Sequence, residues 1–363
     1  MKEIQIQKAV TQAVMTEMVS NLATHSDNYC KVVSYWETSY GKVPKGHLIG
    51  WSKNEDDKIY FETPKPPENR SEVLYHDLPT SEQYYRRHDP PKIWNPDEQE
   101  LRKIAIDKYS RGGTEKQRES PEFTNFNWWR VYSNMTPEMR AYFDREWDRR
   151  NHGLYFFNNG VATYLTGAHY CFLQHWWLQV GMYPIYKDRN LMDFYAWRAA
   201  EDNPQCFGLI VPKHRRSNHT TIGAFLGWEY SSRSIGGHFA IQSVGDTGAK
   251  KVFTDKVVPG WSKLVPFFRP ISPTGTKPVT EIIMDTPSRT GKNKYFKFEG
   301  EDGNEGRIWY APNGGGESEP IDGDAIDRYL RDEGGKEKSL DINKQWGIVK
   351  HCLVTPNGTG KAY

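Results

Sequence analysis

The residues with the clearest chemical content lie between positions 211 and 230, VPKHRRSNHTTIGAFLGWEY. An apolar run, CFGLIV, leads into Lys213, His214, Arg215 and Arg216; Ser217, Asn218, His219, Thr220 and Thr221 then open a stretch of helical pattern. A solvated turn needs no such charge, so an anion is expected where this helix begins. A loop between a strand and a helix aims backbone N–H groups and the positive helix end at phosphate, whatever its side chains. The usual phosphate loop reads G-x-x-x-x-G-K-[ST]. Laid on Lys213 to Thr220, that frame puts Lys213 at the first glycine, Asn218 at the second and His219 at the lysine. Thr220 falls on the hydroxyl that holds Mg²⁺. Asparagine takes positive φ more readily than most residues, so Asn218 can stand in for glycine. Lys213, Arg215 or Arg216 can supply the missing lysine's charge. His219 is the weak element, being short and mostly neutral near pH 7. From spacing alone three readings stay open: a nucleotide site, a loop that grips DNA phosphate, and a solvated loop.

Nucleotide hydrolysis also needs an acid for Mg²⁺ and a second one that orients water, at the end of a neighbouring strand. EIIMDTP ends in Asp285 with no second acid after it. IDRYLRDEGGK ends in the adjacent pair Asp332-Glu333, with Gly334 and Gly335 behind it, although Asp327, Arg328 and Arg331 interrupt its strand pattern. An ordinary surface turn is the competing reading of that pair. Two glycine–lysine pairs, in SRTGKNK and NGTGKAY, lack the flanking strand, hydroxyl or helix that the frame requires.

Three zones must position these groups. Residues 1–125 are punctuated by proline and read as an irregular, helical accessory region. One helix is expected there, capped by Asn95, with Pro96 at its first position, Gly112 past its end, and Leu101, Ile104 and Ala105 on its apolar face. From about 126 to 200, a helix follows Thr136-Pro137 and stops near Gly153, with Met139, Phe143 and Trp147 along one face. LYFFNNGVATYL then reads as a hairpin turning at Asn159-Gly160, followed by two aromatic helices, TGAHYCFLQHWWLQVGM and DRNLMDFYAWRAAED. Beyond residue 206 strands and helices alternate. CFGLIV is expected as a buried strand and HFAIQSV as another; AKKVFTDKVVPGWSKLVPFF is expected as helix with a break at Pro259-Gly260. EIIMD, YFKF, RIWYA, the IDRYL stretch and GIVKHCLV are further strand candidates. This alternation predicts an α/β domain over 126–363, with a mainly parallel sheet and some antiparallel additions.

The 363 residues suffice for one large or two ordinary domains. Mean hydropathy is −0.80, yet an aromatic content of 14% argues for a packed fold rather than a disordered chain. A net charge of +2 excludes a global basic footprint, so any nucleic-acid contact must be local. Cys30, Cys171, Cys206 and Cys352 form no C-x-x-C and read as free thiols of a reducing compartment. The N-terminus lacks a secretory pattern. No run of ~18 apolar residues marks a membrane span. A soluble intracellular protein is expected.

The segments FFNNGVATYLTGAHYCFLQHWW, YPIYKDRN, CFGLIVPKHRRSNHTT, IQSVGDTGAKKVF, IDGDAIDRYLRDEGGK and KHCLVT, in this order, resemble the ATPase portion of phage terminase large subunits, in the branch associated with phages of gut anaerobes. The resemblance runs from about residue 145 to the end. It implies a P-loop NTPase fold of the RecA-like kind, with helices on both faces of the sheet. It further implies an ATP- and Mg²⁺-dependent motor, acting as a homo-oligomeric ring on the procapsid in the host cytoplasm. Its expected partners are double-stranded viral DNA, the portal protein and the small terminase subunit, with no membrane. Lys213 to Thr220 would be a deviant Walker A loop, with Lys213, Arg216, Ser217, Asn218, His219, Thr220 and Thr221 on the nucleotide. Thr220 and Asp332 would hold the metal, Glu333 would orient water, and Arg215 or Arg216 would stabilise transition-state charge. The family's adenine contacts would fall on the segment from Thr166 to Gln174, on His169 and Gln174. The family carries a nuclease domain beyond this region, and no nuclease residues are expected here.

Two other functions compete. A helicase-like DNA ATPase would share both loops but should carry a second RecA-like domain. A non-enzymatic DNA- or portal-binding protein would bind DNA with steep salt dependence and without regard to Mg-ATP.

Overall fold

The computed structural model describes residues 50–53, 59–64 and 101, and from 135 onward all but 159–160, 204–205, 212–216, 266–267, 271, 273, 275–276, 285–303, 312–320, 322, 337–341 and 356–357. The expected helix after Asn95 (save Leu101), the turn at Asn159-Gly160, the YFKF strand, Asp285 and the four basic residues 213–216 lie outside the described residues. In the N-terminal region β1 (Gly50–Lys53) pairs antiparallel with β2 (Ile59–Glu62).

Helix α1 (Pro137–His152) begins where proline is tolerated. Thr136 caps it, its hydroxyl accepting from the Met139 N–H at 3.3 Å, and Gly153 ends it at φ 76°. The hairpin follows as β3 (Leu154–Asn158) and β4 (Val161–Leu165). Then come α2 (Gly167–His175), capped by Thr166, and α3 (Asp188–Asp202). Helix α4 (His219–Ser231) leads to β5 (His238–Gln242), the first long strand of the main sheet.

After β5 the chain forms α5 (Gly245–Val252), a π-helical turn over Phe253–Val257 and α6 (Val258–Lys263). The expected break is therefore displaced upstream. Pro259 follows directly on the π turn, whose changed register accommodates a residue that has no N–H to donate. Strands β6 (Glu281–Met284), β7 (Gly306–Tyr310) and β8 (Arg328–Arg331) follow, then α7 (Ile342–Cys352). A short ladder, β9 (Val354–Thr355) with β10 (Gly358–Thr359), precedes β11 (Lys361–Ala362).

The main sheet has five strands in the order β11-β8-β5-β7-β6. Its first three pairings are parallel, and only β6 runs antiparallel, against β7. Gly208 extends it by a parallel bridge to Ala362. Side-chain alternation divides the core. Phe239, Ile241, Ile308 and Leu330 face one cluster with the aromatic residues of α1, α2 and α4, while Ala240, Trp309 and Tyr329 face another with Val349 and Cys352 of α7. Helices thus cover both faces of the sheet.

Two expected strands differ. GIVKHC is helical, within α7: Gln345, Val349 and Cys352 are buried while Trp346, Lys350 and His351 are exposed, a spacing of three and four that suits a helix. CFGLIV is not a fully buried strand, because Ile210 is 72% exposed and Phe207 to Leu209 are half-buried. It lies along the β11 edge, joined by Gly208 and by the Leu209 N–H donating to the Ala362 carbonyl at 2.9 Å. Among the described residues, no helix is long and apolar enough to cross a membrane.

Candidate functional site

Lys213, Arg215 and Arg216 lie outside the described residues; from Ser217 onward the loop is described. Ser217 is buried, and its carbonyl accepts from Arg189 Nη2 of α3 at 3.4 Å. Asn218 turns the chain into α4 in the left-handed conformation, φ 71° and ψ 3°. That is the geometry expected of a residue standing in a glycine's place. Its carbonyl accepts the N–H groups of Thr221 at 3.0 Å and Ile222 at 3.1 Å, starting the helix ladder.

His219 reaches two other elements through its Nδ1. That nitrogen lies 3.1 Å from the Tyr363 hydroxyl, just past β11, and 3.4 Å from Asp193 Oδ2 of α3. Burial raises the Asp193 carboxyl to about 6, with Arg189 opposing the rise. Burial, and then Asp193, lift the Tyr363 hydroxyl well above its ordinary value. Thr220 is the contact between the two halves of the site: its hydroxyl donates to Asp332 Oδ1 at 2.8 Å, across 112 positions of sequence.

Asp332 is placed by the sheet. Its N–H donates to the Gln242 carbonyl at 2.9 Å, prolonging the β8–β5 pairing by one residue. Glu333 follows in the left-handed region, φ 55°, with its exposed carboxylate paired to Lys336. Thr221 is buried in the first turn of α4. Helix α4 can lie against the strands because Gly223 and Gly227 leave room: a Cβ at Gly223 would sit 2.7 Å from Leu330 Cδ1, and one at Gly227 2.4 Å from the Phe239 ring.

His169 and Gln174 are both fully buried in α2. The His169 ring stacks between Phe194, 4.3 Å away at 8°, and Tyr186, 5.7 Å away at 20°. Burial pushes His169 down to about 3, so it is neutral in the folded protein. Helix α3 connects this stack to the loop, since Asp193 meets His219 while Phe194 stacks on His169. Sequence reasoning read α3 only as an aromatic helix and missed Arg189, Asn190 and Asp193. The signal was the i, i+4 pair Arg189 and Asp193 at its polar start. Tyr363 was missed too, because nothing local ties it to residue 219.

Among the described residues, no group of three or more His, Cys, Asp and Glu could hold a metal ion. The pairing of one hydroxyl with one carboxylate is a different donor set. Hard oxygen ligands, few of them from protein, are what Mg²⁺ takes beside phosphate. No family model matches the chain, and no curated protein or solved structure matches it.

Proposed function

We propose that this chain is an ATP-hydrolysing motor subunit of the terminase type, which moves double-stranded viral DNA into a procapsid. The observation that carries the reading is the 2.8 Å hydrogen bond from Thr220 to Asp332. It joins the hydroxyl position of the deviant phosphate loop to the acid at a strand end, the two protein ligands such a site uses for Mg²⁺. Topology supports it. The Gly208 segment, β11, β8 and β5 run parallel, and Thr220 at the start of α4 meets Asp332 just past the carboxyl end of β8. Open α/β sheets bind ligands at the carboxyl ends of their strands. The left-handed Asn218 supports it too. The terminase assignment within this class rests on the ordered motifs from about residue 145 onward.

In this reading Thr220 and Asp332 hold Mg²⁺, which when bound neutralises charge on the terminal phosphates. Ser217 to Thr220 present backbone N–H groups to phosphate, with Thr221 behind them, its own N–H on the Asn218 carbonyl, and Lys213 with Arg216 supply the charge that His219 lacks. Arg215 or Arg216 stabilises charge developing in the transition state. Glu333 exchanges its exposed partner Lys336 for the attacking water and orients it. The ring assembly, the portal and the small subunit are the partners that follow.

The test is a thermal-shift titration of the full chain with Mg-ATPγS, beside Lys213→Ala, Arg216→Ala and Asp332→Asn. Ligand binding to the folded state adds about 2.7 kcal/mol at a hundredfold the dissociation constant, so the melting temperature should climb with nucleotide and do so less in each variant. A cooperative melt that does not move up to millimolar nucleotide overturns the reading. Steeply salt-dependent DNA binding that ignores nucleotide would then mark a phosphate-gripping loop instead.

A further inference from the structure

Three polar side chains beside the loop are buried without company. His169, Asn190 and Ser217 are exposed by 0%, 0% and 2%. Among the described residues, no hydrogen-bond partner meets either ring nitrogen of His169, either amide atom of Asn190, or the Ser217 hydroxyl. Buried polar groups are nearly always paired, because leaving one unpaired costs its full desolvation. These three are linked through α3, by Arg189 to Ser217 and by Phe194 to His169, and together point to a shared partner.

Their placement is specific. Asn190 sits in the first turn of α3, next to Arg189, whose guanidinium donates to the Ser217 carbonyl at 3.4 Å. One turn later on the same face, Phe194 stacks on His169 at 4.3 Å. None of the three carries charge, since burial keeps His169 neutral. A phosphate would look for cations and N–H groups, so this neighbourhood suits an uncharged, hydrogen-bonding, flat group among aromatic rings. An asparagine amide offers a donor and an acceptor side by side, which match the N6 and N7 edge of adenine; guanine presents two acceptors there.

We infer that Asn190 is the base-reading residue of the nucleotide site, taking the donor–acceptor edge of adenine, with His169 and Ser217 completing the polar shell. This rests on the loop being a nucleotide site. It moves base recognition from α2 to the start of α3. Tyr186, half-buried and stacked on His169, is the ring that must shift to admit the base.

Calorimetric titration of the full chain with Mg²⁺ and ATPγS, GTPγS or ribose 5-triphosphate tests the inference. The wild type should bind ATPγS about tenfold or more tighter than either of the others, the discrimination a bidentate base contact confers. Asn190→Leu, similar in size but apolar, should erase that margin and leave ribose 5-triphosphate within about twofold of wild type. Equal binding of all three ligands by the wild type overturns the inference while sparing the loop, as does a margin that survives in Asn190→Leu. Binding of none of them overturns the loop reading and this inference together. The wild-type comparison needs no variant, so a misfolded Asn190→Leu would not shield the idea.

Discussion

At the scale of single residues, the site turns on two oxygens. Thr220 and Asp332 satisfy one another at 2.8 Å, so the pair needs no ligand to be stable, and a metal would have to compete with that hydrogen bond. Thr220→Val is expected to lower the unliganded stability by about 1–3 kcal/mol through the lost hydrogen bond, and separately to reduce the shift produced by Mg-ATPγS; a full wild-type shift would remove the hydroxyl from the metal. Glu333 makes the opposite case. Its carboxylate is exposed and paired only at the surface, so Glu333→Gln should keep nucleotide binding and slow phosphate release by roughly 10²–10⁴-fold, the range for positioned acid–base groups. Asp193 yields a pH test. Its carboxyl is raised to about 6 by burial, so the fold prefers the neutral form. The stabilisation is complete below the unfolded value near 4 and is lost as pH rises through about 6. Asp193→Asn, neutral throughout, should therefore gain on wild type in melts at pH 8 and not at pH 4. A gain of the same size at both would deny the shift. Asn218, Thr220 and Asp332 were legible in the sequence because a spacing rule names them. Asp193, Asn190 and Tyr363 were not, because only tertiary packing brings them to residues 217–219.

Among the elements, α4 carries the most consequence, since it starts in the loop and ends against α1. Its entry demands positive φ at Asn218, where a β-branched side chain costs about 1–2 kcal/mol and glycine costs nothing sterically. Asn218→Gly should melt close to wild type and Asn218→Val clearly below it; similar melts would mean that the loop re-forms by another route. Its close approach to the sheet demands glycine at position 227, where a new Cβ would lie 2.4 Å from three atoms of the Phe239 ring. Gly227→Ala is expected to cost about 1–3 kcal/mol by denaturant unfolding, the usual penalty of overpacking. Local pattern made β5, β7, α1 and the β3–β4 hairpin readable, because period and turn chemistry agree there. It misled for α7, whose run of Gly347, Ile348 and Val349 looks strand-like until the burial of Gln345, Val349 and Cys352 reveals a helical stripe. Short apolar runs do not distinguish strand from helix without that longer window.

Across the whole molecule, the feature least visible in the sequence is a charged centre inside the aromatic core. Arg150 of α1 is exposed by 1% and lies 5.1, 4.8 and 4.8 Å from the rings of Trp147, Trp228 and Phe268. Its Nη2 donates to the Glu229 carbonyl at 3.1 Å and to the Ser232 hydroxyl at 2.5 Å, at the far end of α4 from the loop. Glu229 is held as a carboxylate by Arg233 and Arg150, which outweigh a burial that would raise its pKa. Glu146, one turn earlier on α1, accepts from Arg149, Tyr170 and His175 at 2.7 to 2.8 Å. Charges on a helix ordinarily read as its solvated face, and only the folded neighbours show that these point inward. The guanidinium therefore joins α1 to α4 through cation–π contact and hydrogen bonds at once, which a methionine of similar bulk cannot do. Removing one member of a buried ionic cluster costs about 3–5 kcal/mol, reduced here because Arg233 still faces Glu229 at 2.8 Å. Arg150→Met should consequently lower unfolding stability by a few kcal/mol, and the double variant Arg150→Met with Glu229→Gln should lose less than the sum of the two single losses, since the contact between the two side chains is then removed only once. Denaturant unfolding of the two variants decides the matter. Strict additivity of the two losses would mean that Arg150 acts through the aromatic rings alone, and that the ionic contact between the helices contributes nothing.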